Sequence, residues 1–222
     1  MGKMIELSAA DGVQISAYVA EPAGKPKGAI VVIQEIFGVN GHIRSVADRY
    51  AGEGYLAIAP ALFDRAKKDV QLDYSPESMV AGRGFLTSIE PAKTMLDIEA
   101  AIKFGAAVGP VGVVGYCWGG SLAFAAAVHL PGVAAAVGYY GSGIAARASE
   151  QPKAPVMLHF GEKDAHIPLS DVEKIRAAHP EMPIFTYDAG HGFNCEARSA
   201  YDKPSADLAL SRTLAHLAKF MV

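Results

Sequence analysis

The sequence predicts an α/β protein built on a mostly parallel, doubly wound sheet of about seven or eight strands flanked by helices. Three observations carry this. Short β-rich runs alternate with helical patterns along most of the chain. Several runs, AIVVI and VGVVG among them, are apolar almost throughout, as strands are when both faces of a parallel sheet are covered. No linker, internal repeat or low-complexity tract interrupts the alternation.

The elements follow in order. Val13–Val19 precedes the alternation and reads as an antiparallel edge strand. Ala29–Ile33 and Tyr55–Ala59 are strands on either side of a helix at Ile43–Glu53. Phe63–Ile89 is the least periodic stretch, with FDRAKKD, SPESM and GRG, and reads as a surface excursion bordering a pocket. In the helix Pro91–Val108 the proline suits the first turn, while Met95, Ile98, Ile102 and Ala106 recur on one face. Strands at Val111–Gly115, Val133–Tyr139, Val156–Phe160 and Ile184–Tyr187 then alternate with helices at Gly119–His129, Leu169–His179 and Ala206–Phe220.

At 222 residues the chain corresponds to one large domain, residues 1–222, since domains run to roughly 100–200 residues. With 51% of residues apolar and 19% charged, a sizeable core can be buried. A net charge of −3, with Lys and Arg scattered, offers no footprint for nucleic acid. Two cysteines, Cys117 and Cys195, are too few for a disulfide framework and ordinary for a reducing compartment. The start, MGKMIELSAADG, lacks the apolar stretch of a signal peptide, and no run of about 18 apolar residues exists to span a membrane. A cytoplasmic monomer is expected.

The strongest local signal is Val111-Gly-Val-Val-Gly-Tyr-Cys-Trp-Gly-Gly-Ser121. A buried strand runs into Gly115-Tyr116-Cys117-Trp118-Gly119, and a helix of small residues follows at once. This is the G-x-S-x-G nucleophile elbow of α/β-hydrolases with Cys in place of Ser. A nucleophile on such a turn sits in a strained conformation, and neighbours without Cβ let strand and helix approach. The turn also sets Cys117 at a helix N-terminus, where N–H groups and the helix dipole favour an anion. An isolated cysteine among glycines reads as a small buried hydrophobe; strand, elbow and helix in this order favour the nucleophile.

The order nucleophile, acid, histidine then selects its partners. The strand VMLHF ends in Gly161-Glu-Lys-Asp164, and IFTYD ends in Asp188-Ala-Gly-His191-Gly-Phe193. Both Asp164 and His191 fall past the C-terminal ends of strands, where ligands of open sheets collect. His191 would move the thiol proton and protonate the leaving oxygen, with Asp164 fixing its tautomer. His166 is the alternative partner and Glu162 the competing acid. The remaining histidines read as surface or core.

The chain resembles the dienelactone hydrolase family over essentially its full length. The carrying segments are Gln34-Glu-Ile-Phe-Gly-Val-Asn40 with Ile43-Arg44, Gly54-Tyr55 through Ala59-Pro60-Ala-Leu-Phe-Asp-Arg65, the elbow, Tyr139-Tyr-Gly141, Gly161-Glu-Lys-Asp164 and His191-Gly-Phe193. The resemblance implies hydrolysis of an enol-lactone, carboxymethylenebutenolide to maleylacetate, in aromatic breakdown. It implies a Cys-Asp-His triad, matched by Cys117, Asp164 and His191, and an acidic switch near the thiol, matched by Glu35. A carboxylate beside a thiol opposes its ionisation. The alternative role for Glu35 is a capping carboxylate.

Oxyanion-hole donors are expected at the N–H groups of Trp118 and Ile36. Phe37 and Trp118 are the aromatics expected to line the site, and Cys195 reads as an incidental thiol. In one respect the chain departs from the family. Family members carry pocket arginines for the substrate carboxylate, one a few residues past the histidine, where this chain reads Asn194-Cys195-Glu196-Ala197 before Arg198. Arg198 and Arg83 are the candidates, though each taken singly reads as a surface arginine. No metal-ligand spacing and no phosphate fingerprint occurs, so neither metal nor cofactor is expected. The rival readings are a broader carboxylesterase or thioesterase, a non-catalytic small-molecule receptor, and a redox sensor using both cysteines.

Overall fold

The computed structural model describes residues 2–222, and among them eight strands form one sheet covered by six α-helices. The strands are β1 (Lys3–Ser8), β2 (Gln14–Ala20), β3 (Ala29–Ile33), β4 (Leu56–Pro60), β5 (Val111–Tyr116), β6 (Val133–Tyr139), β7 (Val156–Gly161) and β8 (Ile184–Tyr187). The helices are α1 (Gly41–Gly52), α2 (Pro76–Ser88), α3 (Pro91–Gly105), α4 (Trp118–His129), α5 (Leu169–Ala178) and α6 (Lys203–Phe220). The strand order is β1-β2-β4-β3-β5-β6-β7-β8. Only the β1–β2 and β2–β4 pairings are antiparallel.

Period-two alternation gives each central strand two working faces. On β5, Val113 and Gly115 face α3 and α4, while Gly112 meets Leu217 of α6 and the Tyr116 hydroxyl lies 3.3 Å from that of Tyr50 in α1. On β3, Ala29, Val31 and Ile33 enter one core and Ile30 and Val32 the other. The parallel strands β3, β5, β7 and β8 therefore release their following loops at one edge of the sheet, which is where open α/β sheets bind ligands. No helix among the described residues is long and apolar enough to cross a membrane.

Two sequence expectations need correction. Val13–Val19 is antiparallel as expected, but it is not the edge: β1 pairs along its outer side. The strand β1 carries a weak signal because most of it is exposed and only Leu7 is fully buried. The excursion Phe63–Ile89 does border a cavity, yet it contains a full helix, α2. Its start signal was present: Ser75 caps the helix by accepting from the Ser78 N–H at 3.2 Å, Pro76 occupies the first turn and Glu77 follows. What is missing is an apolar stripe, because the buried residue of α2 is Gly82. A Cβ at that position would overlap the Ile36 carbonyl, so the glycine sets how closely α2 approaches the loop after β3.

Gly82→Val should therefore act like overpacking, costing about 1–3 kcal/mol and roughly 3–10 °C in Tm. It should also lower turnover by shifting Ile36, whereas Gly84→Ala, which has open space around it, should do neither. Thermal unfolding and steady-state kinetics of the two variants check this.

Candidate active site

The strand β5 ends in a backbone reversal at Cys117, whose φ of 55° and ψ of −117° place it in a region that side chains rarely adopt. The reversal is held on both sides. The Cys117 N–H donates to the Tyr139 carbonyl at 3.0 Å, and its own carbonyl accepts from Gly120 at 2.9 Å to open α4. A Cβ at Gly115 would overlap the Gly119 carbonyl, one at Gly119 the Ile33 and Gln34 carbonyls, and one at Gly120 the Tyr139 carbonyl. Glycine at these positions is a requirement of the close strand-to-helix approach. The sulfur is half-buried at the first turn of α4.

The partners come from the loops after β7 and β8. These loops are drawn together by Glu162 N–H on the Tyr187 carbonyl at 2.7 Å and Lys163 N–H on the Ala189 carbonyl at 3.0 Å. Asp164 is buried, with one carboxylate oxygen accepting from the His166 N–H at 2.8 Å. The other lies 2.7 Å from His191 Nδ1, and His191 Nε2 lies 3.1 Å from Cys117 Sγ. The three residues thus form one hydrogen-bonded chain. Burial by itself would lower the His191 pKa, but the Asp164 carboxylate and the Cys117 sulfur outweigh it and hold the imidazole up at about 9. The Tyr140 and His166 rings pack on the imidazole at centroid distances of 5.1 Å each.

Neither competing side chain joins this hydrogen-bonded chain. His166 is exposed and meets His191 edge-on, and Glu162 is exposed with its carboxylate accepting from the Thr186 hydroxyl at 2.8 Å.

Glu35 is fully buried, and burial pushes its carboxyl pKa up against the opposing pull of Arg198 and Tyr74. Its partners are the Tyr74 hydroxyl at 3.0 Å and Arg198 Nη1 at 3.2 Å. Arg198 is a correction to the surface reading: its side chain is only 15% exposed. Its guanidinium packs over Gly192, where a Cβ would approach it to 2.6 Å, and it lines the cavity beside the triad. Carboxylate, ring nitrogen and sulfur of Glu35, His42 and Cys195 also meet here, within 4.8 Å of one another. Burial lowers His42 to about 4 and raises Cys195 to about 11, so the ring is neutral and the thiol protonated near neutral pH. The reading of Cys195 as a core thiol matches its complete burial.

The cavity at this edge has a volume of about 730 Å³. Of the residues singled out from sequence, Cys117, His191, Ile36, Trp118, Phe37, Arg83 and Arg198 line it, whereas Asp164 and Glu35 are buried and do not. Arg83 is exposed, on the α2 wall. Sequence reasoning missed Tyr74, which donates to Glu35, and Arg147 and His129, which line the cavity farther out. Only the unusual SPES start of α2 hinted that the segment holding Tyr74 was ordered.

The family profile described as the dienelactone hydrolase family matches residues 15–221. A carboxymethylenebutenolidase of Pseudomonas putida is 35% identical over 225 residues, covering 96% of this chain and 95% of its own. A Synechocystis sp. protein provisionally given the same name is 37% identical over 215 residues, covering 87% of each chain. A solved Klebsiella pneumoniae structure, provisionally named a dienelactone hydrolase, superposes with a TM-score of 0.85 at 31% identity, covering 99% of this chain and 100% of that one. A dienelactone hydrolase-like promiscuous phosphotriesterase from metagenomic libraries shares the fold at a TM-score of 0.77 and 18% identity, covering 100% and 99%. The chain belongs to the dienelactone hydrolase family and is a hydrolase with the α/β-hydrolase fold.

Proposed function

We propose that this protein cleaves a carboxylate-bearing enol-lactone, of the kind converted to maleylacetate in aromatic breakdown, through a thioester on Cys117. The observation that carries the reading is the continuous chain Cys117–His191–Asp164, at 3.1 and 2.7 Å, opening onto the cavity. The imidazole, held up at about 9 by the Asp164 carboxylate and the Cys117 sulfur, is placed to take the thiol proton as the sulfur attacks. Thiolate attack on the lactone carbonyl forms the C–S bond and places negative charge on the carbonyl oxygen. The N–H groups of Trp118 and Ile36 receive that charge, each such donor being worth roughly 3–4 kcal/mol of barrier in enzymes where one has been removed. Collapse breaks the ring C–O bond, and the enolate leaves with the His191 proton. Water, activated by the now neutral His191, then hydrolyses the thioester.

Arg198 and Glu35 supply the coupling to substrate. A substrate carboxylate competes with Glu35 for the guanidinium, so binding changes the charge balance near His191. The names of the Pseudomonas putida and Synechocystis relatives support the lactone reading. A second reading, a broader esterase of the same chemistry, is favoured by cavity size. A dienelactone has about ten non-hydrogen atoms, whereas cavities within 300–1,000 Å³ accommodate drug-sized ligands, and this one measures about 730 Å³.

Cys117→Ala should reduce kcat/KM for a dienelactone by at least about a thousandfold, and acid-quenched wild type should show an acyl adduct on Cys117 by mass spectrometry. Full activity in the alanine variant ends the proposal. An imidazole NMR titration should place His191 well above its ordinary 6.5, near 9, and Cys117→Ala should lower it. The sign for stability follows from that shift. Protonation of His191 favours the folded state fully below about 6.5, and the benefit is lost as pH rises through about 9. Glu35→Gln leaves Arg198 buried without its counter-charge, so stability should fall by about 3 kcal/mol, and thiolate absorbance should appear at lower pH than in wild type. An unchanged thiol titration removes Glu35 as a switch.

A further inference from the structure

The cavity extends far beyond the thiol. Trp118, Ser121, Leu122, Ala125 and His129 all line it, so one face of α4 forms its floor along the whole helix. Twelve residues at about 1.5 Å each put the two ends of that floor roughly 18 Å apart. Cys117 caps the near end and His129 closes the far one. A second wall comes from Ser142 and Gly143, tied to the helix by the Gly143 N–H donating to Ser121 Oγ at 2.9 Å. The middle of the floor is apolar, at Leu122 and Ala125, and Met95 of α3 borders it.

The far end carries charge. Arg147 lines it together with His129, and both lean on one carboxylate oxygen of Glu150, at 3.6 Å from Arg147 Nη1 and 3.0 Å from His129 Nε2. The Arg147 side chain is 40% exposed, and one long contact leaves most of its five N–H donors uncommitted. No Asp or Glu is among the residues lining the cavity.

We propose that the α4 floor is a channel for a straight acyl arm, with Arg147 as an anion-binding group at its end. The protein then hydrolyses esters whose acyl part is an unbranched chain terminated by a carboxylate. This rests on the thiol-esterase reading above. The arm belongs to the acyl side because the leaving oxygen must stay within reach of His191, at the sheet edge, while α4 runs away from that edge. An extended chain advances roughly 1.2 Å per bond, given about 3.5 Å per three-bond residue. With His129 and Arg147 taking up the last part of the channel with their own side chains, an arm of about eight to twelve bonds spans the rest.

The test compares aryl half-esters of straight-chain dicarboxylic acids with aryl esters of monocarboxylic acids of equal length, the aryl group held constant. The ratio of kcat/KM, diacid over monoacid, should rise with length to about fivefold where the carboxylate reaches Arg147, the size of an exposed ion pair, and should shrink with added salt. Arg147→Gln should return the ratio to about one, and Ala125→Leu should move the optimum to shorter chains. A ratio flat with length, or one that Arg147→Gln leaves intact, overturns the channel; turnover of the short esters through Cys117 would then still support the esterase reading. Absence of all ester turnover overturns both.

Discussion

The backbone at Cys117 is the constraint on which the rest of the site depends. A cysteine at a φ of 55° is held in a sparsely populated conformation that costs about 1–3 kcal/mol. Neighbouring contacts hold it there: its N–H is bonded to Tyr139, its carbonyl receives the first bonds of α4, and the backbone passes so close to β3 and β6 that Gly119 and Gly120 admit no Cβ. The same reversal determines where the sulfur points. It directs Sγ toward His191 and the cavity, at the N-terminus of α4. Relaxing the turn would cost both the proton partner and the helix-terminal field at once.

A second set of constraints lies under the catalytic edge, where the interior is polar. The Tyr139 hydroxyl and Thr213 Oγ1 are 2.7 Å apart, and His159 bridges Thr213 at 3.1 Å and Tyr187 at 2.8 Å. Burial lowers His159 to about 3, so its ring is neutral and offers one donor and one acceptor to that network. Tyr140, at a φ of 39°, brings its ring against both His191 and Phe193 and so limits how the His191 imidazole can turn. The buried Glu35–Arg198 pair belongs to the same layer. Such a pair is weak as a source of stability, since desolvation offsets most of the attraction. Its placement at the cavity wall makes sense as machinery for an anionic ligand.

The parts of this arrangement that were legible in the sequence are those fixed by backbone rules. The glycine spacing around Cys117 follows from the close approach of strand and helix, and Asp164 and His191 follow from their places just past the ends of successive strands. Both signals are local. What could not be read depended on contacts between distant segments. The strand β1 is mostly exposed, and α2 buries a glycine where a periodic pattern would need an apolar side chain. The burial of Arg198 exists only because Gly192 leaves room for the guanidinium and Glu35 neutralises it. Arg147 and His129 are ordinary surface residues in sequence. Their relation to the site appears only when α4 and the Ser142–Arg147 segment are seen to wall one cavity.

The two cationic ends of that cavity differ in a way that decides what each can do. Arg198 is enclosed and its counter-ion is fully buried, so a ligand that takes its guanidinium leaves Glu35 with an uncompensated charge or a bound proton, close enough to His191 to alter the triad. Recognition there is inseparable from chemistry. Arg147 is 40% exposed and its counter-ion Glu150 is 32% exposed, so either charge is readily satisfied by water when a ligand arrives. Nothing in that exchange reaches the thiol. An anion at the near end can therefore change the rate of the chemical step, whereas one at the far end can add only selectivity between chains.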